Sequence, residues 1–188
     1  IDNRELVAAR SDTETYRRLA AGTHSILASK EGFWPWLKDI AIAENEQITL
    51  SPFFMPKELS GVIITQDDPE FVSLSKKINE KTLPSENSLL VSESGNVGLF
   101  VRDSAVYAKW VADSEMPSWF CDADVCPEER EVFVGTNPIH SISFIPHRED
   151  VVAIAVQNSI FAIEIDQRGS VQNFQFIYKG IAPVFIKE

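Results

Sequence analysis

Two stretches in the second half of the chain carry one pattern. "SLLVSESGNVGLFVRDSAVYAKWV", beginning at Ser88, lies over "SFIPHREDVVAIAVQNSIFAIEI", beginning at Ser143. Val101 falls on Val156, Asp103-Ser104 on Asn158-Ser159, Tyr107 on Phe161 and Ala108 on Ala162, with one residue inserted at Ala105. Each copy leaves through a similar exit, Gly135 and Pro138 in one matching Gly180 and Pro183 in the other. A repeat constrains a fold strongly, because each copy must bury an apolar face on a neighbour. Each spans about fifty residues of short alternating segments, the length of an antiparallel propeller blade. A ring takes at least about four blades. Two blades, followed by Val184-Phe185-Ile186-Lys187-Glu188 reading as another first strand, predict an incomplete propeller and a piece of a longer protein.

The rest of the chain also alternates or runs apolar in short bursts. Strands are expected over 25–28, 38–43, 47–50, 97–101, 106–111, 151–156, 160–165 and 174–178, with turn formers between them. One helix is expected. Asp67-Asp68-Pro69 supplies a cap and a first-turn proline, Glu70 a favourable charge, and Phe71, Leu74 and Ile78 follow at helical spacing before Leu83-Pro84. The fold class is therefore all-β with a short helix in a linker. A cut in limited proteolysis is expected between Lys76 and Ser88, which would make the two β parts separate folding units.

The formal net charge of −11 argues against a nucleic-acid groove, which needs clustered Lys and Arg, and against docking on anionic lipid. No apolar run approaches the roughly 20 residues of a membrane span, and Ile1-Asp2-Asn3-Arg4 does not read as a signal peptide. The opening without methionine leads us to expect a segment upstream.

Cys121 and Cys126 have four residues between them. That spacing suits a hairpin tip closed by a disulfide, which persists outside reducing compartments. Free thiols are the alternative. Zinc is a poor one, since no second Cys or His pair completes four ligands.

"GTHSILASKEGFWPWLKDIAIAENEQITLSPFFMP", residues 22–56, packs Trp34 and Trp36 around Pro35. The proline forces extended backbone and removes a ladder donor, so the site belongs at a strand entry or edge. The rings are expected to cap the open end of a small sandwich; an interdomain contact or a stacking platform for sugars are the alternatives. Trp110 and Trp119 are the other candidates for aromatic binding or packing.

The run Leu19-x-x-Gly22-x-His24-x-Ile26, then Lys30-Glu31-Gly32-Phe33-x-Pro35-Trp36, then Glu44-Asn45-Glu46 before Ile48-x-Leu50, resembles the PEGA domain, a small β-sandwich module of prokaryotic surface and envelope proteins. Ala21 stands where that module usually has proline. Ile1-Asp2-Asn3 matches only the end of its first strand, which implies that most of that strand is missing at the front. The remainder, best in residues 150–180, resembles the propeller-like repeats that follow a PEGA module in proteins of some ultrasmall bacteria. The resemblance implies a membrane helix upstream of the module, a place in the cell envelope, and no catalytic residues.

Groupings that carry chemistry are missing from the sequence. His24, His140 and His147 are scattered without metal-ligand spacing, and His24 reads as a packed or hydrogen-bonded strand residue. No nucleophile elbow or phosphate-binding glycine loop occurs. Asp67-Asp68, Asp122 with Asp124, and Glu128-Glu129 are carboxylate clusters, but adjacency in a loop does not place two carboxylates across a sugar cleft, and an EF-hand spacing is lacking. They read as solvated loop charge.

The division expected is a PEGA-like sandwich over 1–58, a linker with the helix over 59–87, and two blade-like repeats over 88–188. The expected role is a non-enzymatic, extracytoplasmic envelope scaffold or protein-interaction module without cofactor or metal. Its expected partner is another protein or a cell-wall or surface polysaccharide; a carbohydrate-binding protein using exposed tryptophans, or a fragment of a larger hydrolase, are the alternatives.

Overall fold

The computed structural model describes residues 1–2, 17–58, 63–80, 82–121, 125–169 and 171–181. It is an all-β architecture with one α-helix. Strands β1 (Gly22–Ala28) and β2 (Trp36–Ile42) form an antiparallel pair. Helix α1 (Phe71–Glu80) follows. Then come β3 (Leu90–Val91), β4 (Val97–Arg102), β5 (Ala105–Trp110) and β6 (Glu129–Val134) in one four-stranded sheet. A second four-stranded sheet holds β7 (Ile139–Phe144), β8 (Val151–Val156), β9 (Ser159–Glu164) and β10 (Phe174–Lys179). Both sheets are antiparallel meanders, each strand pairing with the next along the chain.

The helix forms where the periodicity predicts it but starts at Phe71, so Pro69 and Glu70 fall in the turn before it and its first turn holds no acidic residue. Asp68 accepts from the Thr65 amide and hydroxyl, and its carbonyl accepts from the Phe71 amide at 3.0 Å, so the Asp-Asp-Pro turn feeds the first helical residue.

The two sheets repeat each other down to single hydrogen bonds. Ser92 N–H to Val97 O (2.8 Å) recurs as Ile145 to Val151 (3.0 Å), and Val111 to Asn96 as Ile165 to Asp150 (both 2.8 Å). Both outer strands carry a bulge at the same place, Val132 and Ile177 being the extra residues. At both exits the glycine amide donates to the preceding hairpin turn, Gly135 to Ser104 and Gly180 to Asn158. The ring two residues earlier, Phe133 or Tyr178, lies where a Cβ on that glycine would go. A bulge and an exit placed identically twice mark one unit used twice.

The hairpins correct the alignment drawn from sequence. Arg102 pairs with Ala105 and Val156 with Ser159, so both turns hold two residues, Asp103-Ser104 and Gln157-Asn158. Asp103, Ser104 and Gln157 take positive φ, as tight hairpin turns require. Val101 therefore matches Ala155 rather than Val156, and Ala105 is no insertion. The turn length fixes register, whereas the sequence match followed residue type. The insertion lies elsewhere: 111–128 joins β5 to β6, while 165–173 suffices between β9 and β10.

The units stack head to tail. The side of the first sheet bearing Val97, Leu99, Val106, Ala108 and Trp110 packs on Val152, Ile154, Phe161 and Ile163 of the second. The corresponding side of the second sheet, bearing Val151 and Ala162, packs on Trp36, Phe53 and Met55. The N-terminal region thus covers the face that the next unit of such a stack would cover. Among the described residues the sheets do not close into a ring. The other end of the stack is polar: Arg102 reaches Glu86 and lies over Tyr107, Lys109 pairs with Glu129 at 3.3 Å, and the Tyr107 hydroxyl donates to Glu131. A polar outer face is how terminal units of stacked repeats stay solvated.

The strand expected over 47–50 does not form. Its backbone finds cationic partners instead of a ladder. Arg168 donates to Thr49 O, while Arg148, clamped on Asp150, donates to Ser51 O and Pro52 O. That anchoring leaves Leu50, Phe53 and Met55 packed toward the second sheet.

Candidate functional site

The densest polar cluster joins the N-terminal hairpin to the second sheet. Lys38 is fully buried on β2; its Nζ donates to Glu164 Oε2 at 3.2 Å and to Asp166 O at 2.7 Å. Glu164 ends β9, and its other oxygen accepts from Trp36 Nε1. Asn173 donates to Glu164 Oε2 at 3.0 Å and to Leu37 O at 2.8 Å, and accepts from Leu37 N–H at 3.1 Å. Its carboxamide therefore engages both backbone groups of one β2 residue, standing in for a neighbouring strand. Asp166 grips Arg168, whose guanidinium continues to Ser118 Oγ and Thr49 O. Gly169 closes the seam: a Cβ there would overlap the Asp39 carbonyl oxygen.

Every oxygen and nitrogen here is engaged; among the described residues no buried side-chain polar atom lacks a partner. A buried cation with two carboxylates is costly unless fully bonded, and this cluster meets that condition. Its geometry is that of a joint.

The tryptophans divide accordingly. Trp36 is 2% exposed and packs with Phe53 and Met55 on Val151 and Ala162 of the second sheet. Trp110 and Trp119 meet edge to face at 6.4 Å and both contact Phe120; Trp110 Nε1 donates to Ser114 O. Trp34 stands apart at 43% exposure, with Lys57 Nζ 5.7 Å from its ring centre.

Cys121 and Cys126 form a disulfide with Cα atoms 4.1 Å apart. It closes the long β5–β6 connection directly after the turn that buries Phe120, whose carbonyl accepts from the buried Arg130 guanidinium at 2.9 Å. Asp122 and Asp124 lie outside the described residues. Among the described residues no three His, Cys, Asp or Glu side chains gather as metal ligands, and no helix is long and apolar enough to cross a membrane.

His24 is held at the start of the chain. Nδ1 meets Asp2 Oδ2 and Nε2 meets Ala20 O, both at 2.8 Å. Two acceptors on two ring nitrogens favour the imidazolium, so the Asp2 hydrogen bond, then the Ala20 one, raise the His24 pKa. Asp2 is lowered in turn, first by His24 and then by the Ser25 amide.

Sequence reasoning missed one surface. A cleft of about 360 Å³ opens at the outer rim between β6 and β10. Phe133, Phe161, Phe174 and Phe176 line it with Val156 and Ile163. Phe161 is its hub, 5.2 Å from Phe133 and 6.4 Å from both Phe174 and Phe176. Phe174 and Phe176 remain 51% and 58% exposed. Bulge and register match these two with Glu129 and Glu131 of β6, so the second unit is apolar where the first is charged, a correspondence that the residues alone do not give.

Against family models, curated proteins and solved structures, the chain matches none.

Proposed function

We propose that this chain is a non-enzymatic scaffold and protein-interaction module of the cell envelope, working outside the cytoplasm. The observation that carries the reading is the rim cleft: two half-exposed phenylalanines on an outer strand, gathered with Phe133 and Phe161 around one apolar hollow. Exposed aromatic side chains around a concave apolar patch suit a protein partner. The polar joint supports a rigid platform behind that patch. The PEGA-like reading of 1–58 and the blade-like reading of 88–188 rest on the motif run from Gly22 to Leu50 and on the head-to-tail stacking of the two meanders. The disulfide supports an oxidising compartment. A polysaccharide partner would have to rely on Trp34, since the other three tryptophans are packed.

Photo-crosslinking in the native cell tests this, with p-benzoylphenylalanine in place of Phe176 and, as control, of Lys109 on the polar end face. Discrete protein adducts from position 176 alone are expected. Adducts from neither position, with glycan-array binding abolished by Trp34→Ala, would replace this reading with the carbohydrate one.

A further inference from the structure

β10 is an edge strand: it pairs with β9 on one side and, among the described residues, has no strand on the other. Its sequence, FQFIYK, carries one charge, Lys179. Proteins ordinarily guard such an edge with charge, proline, a bulge or cover. Both β10 and the repeat-equivalent edge β6 carry a bulge, but only β6 adds charge along its length, reading EREVFV. The comparison is internal, between two edges of the same construction. At the less charged one, the alternate side chains Phe174 and Phe176 border the cleft.

We infer that the β10 edge, with the cleft beside it, takes an extended peptide strand from another protein, with apolar residues at every second position and basic residues at its flanks. This rests on the interaction-module reading and specifies the partner. A strand added to β10 satisfies the free backbone groups, and its alternate side chains fall on the same face as Phe174 and Phe176. That places them over the cleft, where among the described residues only Gln157 and Ser159 are polar. The cleft supplies no charge to pair with, so charge acts through the whole molecule. At −11 the chain attracts basic flanks and repels acidic ones. The same charge opposes a second copy of this chain as the occupant, since two copies bring −11 against −11.

The test uses the full chain and a synthetic peptide: a six-residue core alternating leucine and threonine, with two lysines at each end. Three comparisons are made by fluorescence anisotropy at about physiological salt. Glutamate flanks should weaken binding at least about tenfold. Methylating the backbone nitrogens of alternate core residues, in the register that blocks pairing, should weaken it by a similar factor, while methylation in the opposite register is tolerated. Phe174→Glu with Phe176→Glu, which copies the equivalent residues of β6, should abolish it. Equal affinity for both flank types, insensitivity to N-methylation in either register, or no binding at all would overturn the inference. The N-methylation arm uses unaltered protein, so a misfolded variant cannot mask the answer. Crosslinks at position 176 without peptide binding would remove this partner class and leave the interaction-module reading standing. A dimer in light scattering that Phe176→Glu dissolves would assign the edge to a second copy and overturn it.

Discussion

Trp36 Nε1 donates to Glu164 Oε1 across the seam between the N-terminal hairpin and the second sheet, at the position where the first sheet carries Trp110. Where one unit meets the next through an indole, the second unit offers a carboxylate, and the hairpin brings the indole to it. The substitution turns an apolar stacking face into one that accepts a particular neighbour.

Removing one member of this joint should be expensive. Lys38→Met leaves Glu164 without its buried cation and should cost about 3–5 kcal/mol. Glu164→Gln keeps an acceptor for Trp36. The double variant should therefore cost less than the sum of the single ones by at least about 1 kcal/mol. Urea unfolding of the four proteins measures this coupling; strict additivity would show that the pair does not act as one.

Gly169→Ala tests the seam from its backbone. The glycine sits at φ +83° and its missing Cβ makes room for the Asp39 carbonyl. An alanine adds backbone strain and forces the β9–β10 connection away from β2, so destabilisation well above about 1 kcal/mol is expected. Asn173→Ala should cost less, because it loses hydrogen bonds without adding an atom. The midpoints of thermal unfolding give the order.

The His24–Asp2 contact predicts a pH window. The raised His24 stabilises fully below its ordinary 6.5, and that contribution is lost as pH rises through the higher folded value. The lowered Asp2 stabilises above its ordinary 3.8, and that contribution is lost as pH falls through the lower folded value. Docking of residues 1–2 on β1 is therefore strongest between these limits. Protection of the Asp2 amide, which donates to Ser25 O at 2.7 Å, should fall on the alkaline side in wild type. In His24→Gln protection should be weaker and should lack the fall that loss of the His24 charge produces.

Much of the architecture was legible because turn chemistry and alternation agree: β4, β5, β8, β9 and β10 sit where sequence put them, and one helix follows Asp67-Asp68-Pro69. What was hidden follows from tertiary context. β6 reads as a charged loop because Glu129, Arg130 and Glu131 open it, yet Arg130 is buried by the Phe120 carbonyl. β7 is buried on both faces for most of its length, so its alternation is blurred. Residues 47–50 alternate like a strand, but arginines from distant loops take the carbonyls of Thr49, Ser51 and Pro52 instead. The rim cleft was invisible because it exists only when Phe133 of one unit meets Phe161 of the next.

Reducing the Cys121–Cys126 bond should cost about 2 kcal/mol at most, because the loop it closes is short. The effect should be local. Near-ultraviolet dichroism from Trp119 and Trp110 should change while far-ultraviolet dichroism does not.

The central claim is that the hairpin and the second sheet form one rigid body, a platform for the rim cleft. Native-state hydrogen exchange on the full chain, wild type against Trp36→Ala, tests it most directly. Losing the ring should cost about 3–5 kcal/mol and lower amide protection in β1, β2, β8 and β9 together. Loss of protection confined to β1 and β2, with β8 and β9 unchanged, would contradict it.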